Sequence, residues 1–227
     1  MTLVARVIVR TVVSIACMGA VLFAVGGTLR GPQAWVFLAE MLAAGLAIGL
    51  WLARYDPALL RERMAPLFQR GQKAWDKAFV VTLIVLWPVW YGLIALDAAR
   101  FRWSQVPLWL QIVGALMIGL CIYIVYLTFR ENSYAAPVVR IQSERGHHLI
   151  DTGPYAYVRH PMYAGALLFT FGTPLLLGSW YGLAAAIFIA ALIALRAVLE
   201  ERALAEGLEG YHDYAARVRY RLIPMIW

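Results

Sequence analysis

Residues 151 to 165 read DTGPYAYVRHPMYAG. A cation (Arg159), an imidazole (His160) and the rings of Tyr155, Tyr157 and Tyr163 gather where a polar stretch gives way to a long apolar one. Anchoring a helix end needs no more than a Lys or a Trp, whereas this set is equipped to meet an anionic group and stack on a flat ring. Further along, Arg196 and Glu200 stand four positions apart on one face of a helix, followed by Glu201 and Leu204. As structure, that spacing gives an ion pair worth only ~0.2–0.5 kcal/mol when exposed. As function, Arg196 anchors an anionic group while Glu200 faces a cation, and an arginine near hydrocarbon always needs such a partner. Both readings stand on spacing alone. His160 beside a proline likewise suits a hydrogen-bonded structural role or a place in a site. The neighbours His147 and His148 diverge in an extended segment, and no further ligand completes a cluster, so no metal is expected. Tyr211, Tyr214, Tyr220 and Trp227 read as an aromatic belt at a membrane interface.

The elements that must position these residues follow from composition. The 227 residues are 63% hydrophobic and 15% charged, far from the balance of a soluble domain. The excess is blocked into runs of about 20 residues, enough to cross ~30 Å of hydrocarbon. The expected class is an all-α integral membrane protein of one domain, embedded in a lipid bilayer. The net charge of +7 does not indicate nucleic acid, because the basic residues lie between the apolar runs, where they set topology and meet anionic head groups. Cys17 and Cys121 lie inside apolar runs and read as buried thiols. Zinc spacings and a Walker loop are missing. Arg10 interrupts the first apolar run and no A-x-A site follows it, so no cleavable signal is expected.

The apolar stretches cover roughly 7–29, 32–53, 78–99, 107–129, 162–177 and 180–199, a bundle of five to six transmembrane helices. Arg30-Gly31-Pro32 makes a hairpin of the first pair. The fifth stretch is short and holds Gly172 and Pro174, so 162–199 forms either two full spans or a re-entrant hairpin. Pro88 predicts a kink, and Gly45 and Gly49 a close helix contact. Residues 57–68 read either as a short interfacial helix or as a solvated linker. All basic residues other than Arg30, Arg100 and Arg102 fall on one side of a six-crossing arrangement. This predicts cytoplasmic termini and a cytoplasmic 130–161 loop.

Taken in order, Gly-x-Tyr-x-x-x-Arg-His-Pro-x-Tyr, a hairpin, Arg-x-x-x-Glu-Glu-x-x-Leu and Tyr-x-x-Tyr resemble the isoprenylcysteine carboxyl methyltransferase family and its phospholipid N-methyltransferase relatives. The resemblance covers 130–227. Upstream, "RYDPALLRERM" and "GQKAWDK" look like linkers of bacterial members, which implies a bacterial inner membrane with the active site facing the cytoplasm. It implies an N-terminal helical bundle (1–129), a C-terminal part (130–227) enclosing S-adenosylmethionine, and a lateral opening for a lipophilic or prenylated substrate. The implied cofactor contacts are His147, His148, Leu149, Ile150, Tyr155, His160, Pro161, Met162, Tyr163 and Glu200, with Glu201 beside it. Arg196 is the implied substrate-facing residue, and Arg196 with Glu200 the implied catalytic pair. A glutamine of the family's cofactor wall falls on Arg140 or, with a small shift, Gln142.

The chemistry suits such a cofactor. Glu200 offsets its positive charge, His160 and backbone N–H groups meet its carboxylate, and Tyr155 or Tyr163 stacks on adenine. The expected reaction is O-methylation of a carboxylate, which is already ionised at neutral pH and needs only an orienting cation, Arg196. An amine acceptor must shed a proton, to Glu200 or Glu201. One alternative is a membrane reductase of the sterol-reductase type using NADPH, which shares His-Pro-x-Tyr. Its pattern continues with Gly and an acidic residue, where this chain has Gly165 and Ala166. The other is a non-catalytic membrane protein retaining the fold, against which the intact set of Tyr155, Arg159, His160, Tyr163, Arg196 and Glu200 argues.

Overall fold

The computed structural model describes residues 1–227. Its regular structure is helical throughout: α1 Leu3–Gly26, α2 Pro32–Tyr55, α3 Pro57–Arg63, α4 Ala74–Ala95, α5 Leu108–Glu131, α6 Pro161–Leu177, α7 Trp180–Gly207 and α8 Tyr211–Arg217. Local chemistry sets the ends. Thr2 caps α1 by accepting from the Ala5 N–H, and Gly27 closes it in the left-handed conformation (φ 68°). Pro57 opens α3 behind Asp56, whose carboxylate accepts from the Leu59 N–H at 2.9 Å. Gly178 (φ 87°) ends α6, and Ser179 caps α7 by accepting from the Gly182 N–H at 2.8 Å.

Five helices are long and apolar enough to cross a membrane: α1, α2, α4 with its π-helical extension Leu96–Phe101, α5 and α7. α6 has 17 residues, ~25 Å at 1.5 Å per residue. It runs unbroken through Gly172 and Pro174, and every residue from Gly172 to Leu177 is buried. Its shortness reflects its place inside the bundle rather than against lipid. α5 packs along it, and the approach is close at two glycines. A Cβ on Gly114 would stand 2.6 Å from the Gly172 carbonyl oxygen, and one on Gly172 would stand 2.8 Å from the Gly114 oxygen. Backbones come this near only where side chains are absent. Gly45 and Gly49 serve α1 and α2 in the same way, under Thr11 and Val7.

The turns 27–31, 102–107 and 178–179 share one end of the bundle. There the buried Asp97 accepts from the hydroxyls of Ser104 and Ser179, each at 2.6 Å, and joins the end of α4 to the α6–α7 turn. The other end carries α3, the long segment 132–160, α8 and the C-terminal tail. α3 is docked, not a solvated linker: Leu59 and Leu60 are buried, and the Arg63 guanidinium lies 4.3 Å from the Phe129 ring centroid and donates to the Ala135 carbonyl at 2.7 Å. Cys121 is buried as expected, but Cys17 is exposed, because it falls on the outward face of α1.

A leucine at Gly114 should separate α5 from α6 and destabilise the detergent-solubilised protein by about 2 kcal/mol or more. On the same helix a Cβ at Gly119 meets nothing within 4 Å, and Gly119→Leu should cost little. Thermal unfolding of the two variants checks this, and equal losses would remove the glycine contact as the cause.

Candidate active site

The α6–α7 hairpin and the 132–160 segment line a pocket of about 780 Å³, open solvent at its mouth included. Tight backbone folds the segment over it. Gly146 (φ 65°) follows the 3-10 turn Ser143–Arg145, and Gly153 (φ 56°), pressed against the Glu131 side chain, opens the 3-10 turn Gly153–Ala156. Both glycines adopt a conformation that a side chain would strain.

One wall holds His147, His148, Leu149 and Ile150, together with Tyr134. The Tyr134 and His147 rings stack at 4.5 Å, and the Tyr134 hydroxyl lies 3.0 Å from His148 Nδ1. His147 Nδ1 accepts from the Gln142 N–H at 3.3 Å. Burial, with the nearby charges of His148, Arg145 and Arg140, lowers the His147 pKa from 6.5 to about 4. His147 is therefore neutral at pH 7. The Tyr155 hydroxyl accepts from Asn132 Nδ2 at 2.8 Å, and its carbonyl accepts from the Tyr214 hydroxyl at 2.8 Å. Burial raises the Tyr155, Tyr211 and Tyr214 pKa values, so all three remain protonated.

The opposite wall is the start of α6 and the emerging end of α7. His160 and Tyr163 stack at 5.4 Å, and the Tyr163 hydroxyl donates a short hydrogen bond to the Glu200 carboxylate. Pro161 and Met162 complete this side.

Of the implied cofactor and catalytic residues, all line the pocket except Glu201 and Arg196, while Tyr157 of the ring cluster stays exposed at the surface. Glu201 lies behind the wall, with Arg159 Nε at 2.8 Å, Arg221 Nε at 2.8 Å and His160 Nε2 at 3.3 Å. The backbone bonds from Arg159 N to the Tyr220 carbonyl and from His160 N to the Arg221 carbonyl, each 2.9 Å, tie the tail to the same place. Arg196, 8% exposed, sits beneath Tyr163. Its Nη2 donates to the Pro137 carbonyl at 2.8 Å and stands 2.9 Å from Asp76 Oδ1, and its guanidinium lies 4.7 Å from the Phe79 ring centroid. The intrahelical Arg196–Glu200 pair does not form; each residue has a partner on another element.

Tyr211 and Tyr214 are 4% and 2% exposed and face the pocket, a correction to the interfacial belt expected of them. α8 folds back under α7 and turns both rings inward, while Tyr220 and Trp227 stay at the surface. Arg140 lines the pocket, whereas Gln142 is packed behind it, donating to the Tyr134 carbonyl at 2.8 Å. Tyr134 and Asn132 went unnoticed in sequence. Their one signal was an aromatic and an amide directly after the end of α5.

Residues 109–209 match the phospholipid methyltransferase family. No curated protein matches the chain significantly. Among solved structures, the fold is similar to that of a eukaryotic intramembrane Ras methyltransferase, isoprenylcysteine carboxyl methyltransferase. The TM-score is 0.55 and the identity 17%, over 93% of this chain and 74% of the other. The family match falls on the helices and loops that build the pocket, so residues 109–209 are similar to a phospholipid methyltransferase domain within a membrane-protein fold.

Proposed function

We propose that the protein transfers the methyl group of S-adenosylmethionine to a lipid-borne acceptor at the cytoplasmic face of a bacterial inner membrane. The observation that carries this reading is the convergence of His147–Ile150, Tyr155, His160–Tyr163 and Glu200 on one pocket at the membrane edge. The pocket also leaves donors for a ligand: the Tyr211 hydroxyl and Arg140 Nε are buried with no partner. A carboxylate (Glu200), stacking rings (Tyr155, Tyr163) and these donors fit the cofactor's cation, adenine and carboxylate. A methyl group bound to a sulfonium, open to in-line displacement, is the chemistry the cofactor supplies when bound. The residues contribute placement and water exclusion, which account for much of the rate in such a displacement.

A lipophilic acceptor is supported by an apolar crevice between α1, α2 and α5. It includes Ile48, Val125 and Phe129, with Arg10 and Arg63 at its rim. Arg63 bonds the carbonyl of Ala135, a pocket residue, so crevice and pocket share a wall. Burial lowers the Arg63 pKa to about 10, which leaves it charged at pH 7. For the reacting group, a carboxylate requires Arg196 as its orienting cation, and Arg196 must then leave Asp76. An amine requires a base, and Glu200 Oε2, bonded by Tyr163, is in the pocket to take the proton. The Arg196–Asp76 pair favours the amine.

Glu200→Gln should weaken S-adenosylmethionine binding about tenfold, the effect of ~1.4 kcal/mol, in calorimetric titration of purified protein. Methyl-label transfer to a membrane lipid extract and to a synthetic prenylcysteine, read by mass spectrometry, identifies the product. Stabilisation by NADPH with no response to S-adenosylmethionine would replace this reading with the reductase.

Orientation has its own test. In a variant without Cys17 and Cys121, a cysteine at Gly31 should react with an impermeant thiol reagent from outside the cell, and one at Ser143 should not. Reaction of Ser143→Cys from outside would reverse the topology.

A further inference from the structure

We infer that Asp76 is the specificity-determining residue for the acceptor: it holds Arg196 as an internal counter-ion and so selects against acceptors that carry a negative charge. This rests on the methyl-transfer reading above.

Asp76 stands in the first turn of α4, 120 positions before Arg196, and is fully buried. Its Oδ2 accepts from Gln72 Nε2 at 2.7 Å and from the Val139 N–H at 2.9 Å, and its Oδ1 stands 2.9 Å from Arg196 Nη2. Val139 lines the pocket, so this one carboxylate connects α4, the pocket wall and the arginine beneath Tyr163. Glu200 stands in the pocket, held by the Tyr163 hydroxyl, and the Arg196–Asp76 pair lies beneath it, under Tyr163. Asp76 offsets Arg196, Arg140 is paired with Glu62 and Glu144, and Arg159 with Glu201, so the carboxylate left without a cation is Glu200. A single positive charge on the cofactor balances it. A carboxylate on the acceptor would add a second negative charge to a site largely removed from water, where an uncompensated charge is strongly disfavoured. An amine adds none.

The pair is also poorly saturated. Arg196 Nε and Asp76 Oδ1 are both buried without a directed hydrogen bond. Arg196 thus keeps an open donor, and the hold of Asp76 on it is electrostatic rather than a two-pronged fork. Removing the Asp76 charge should free the guanidinium for a ligand carboxylate. Asp76→Asn keeps the shape of the side chain and an oxygen to accept from Val139.

The test uses full-length purified protein and three measurements. With S-adenosylhomocysteine bound, wild-type protein should bind a long-chain amine at least tenfold more tightly than a fatty acid of equal length, a result that needs no variant to fold. In Asp76→Asn the KM for a prenylcysteine carboxylate should fall at least tenfold, with S-adenosylmethionine affinity within twofold of wild type. Adding Arg196→Ala should abolish that gain. Tighter binding of the fatty acid by wild type overturns the inference. So does an unchanged or higher prenylcysteine KM in Asp76→Asn, or a parallel kcat loss for amine and acid, which is the mark of a merely structural residue. Failure of wild type to bind S-adenosylmethionine removes the methyl-transfer reading itself and the inference with it.

Discussion

The structure is organised around charges that α7 carries to the edge of the hydrocarbon. Arg196, Glu200 and Glu201 sit on its last turns, and a charge left unpaired at such depth costs several kcal/mol. Each is compensated from a different direction. Arg196 takes Asp76 of α4 and the Pro137 carbonyl. Glu200 takes the Tyr163 hydroxyl of α6. Glu201 takes Arg159 from the loop and Arg221 from the tail. These demands draw α4, α6, the 132–160 segment and the C-terminus onto one helix end, and the pocket is the space they enclose. The geometry of the pocket follows from the neutralisation of α7.

The same logic explains what could be read in the sequence. Apolar runs of ~20 residues mark the long spans, since hydrocarbon thickness fixes their length. The stretch from Tyr155 to Tyr163 announced itself because its members are neighbours in the chain, and local spacing survives folding. Glu200 was visible for the same reason. Asp76 was not. It lies in a basic linker, and nothing in the periodicity of 54–77 points to a helix 120 residues away. Tyr211 and Tyr214 were misjudged because an aromatic pair after a membrane helix has the same composition whether it faces head groups or folds inward. The direction was decided by α8 turning back at Gly210 (φ 78°). For α3, periodicity was equally consistent with a solvated linker, and the burial of Leu59 and Leu60 by other elements settled it.

The two ends of the bundle are held by different means. At the far end, two turns converge on Asp97 through Ser104 and Ser179, a compact lock around one carboxylate. The pocket end has no single lock. Its wall is a long segment fastened by separate bonds from Asn132, Tyr214, Gln142 and Arg159, and short stretches between such bonds open more readily than packed helices.

Glycine contacts complete the arrangement. α5 and α6 touch backbone to backbone at Gly114 and Gly172, which fixes the level at which α6 begins, and hence that of His160 and Tyr163 along the bundle. Tyr163 meets Glu200 only because α7, joined to α6 by the two-residue turn Gly178-Ser179, returns at the matching height. A shift of either helix by one residue, ~1.5 Å, would break that bond and expose the Arg196–Asp76 pair beneath it. A reaction governed by the alignment of two bound partners cannot tolerate such a shift, so the close α5–α6 contact deep in the bundle serves the pocket as directly as the residues that line it.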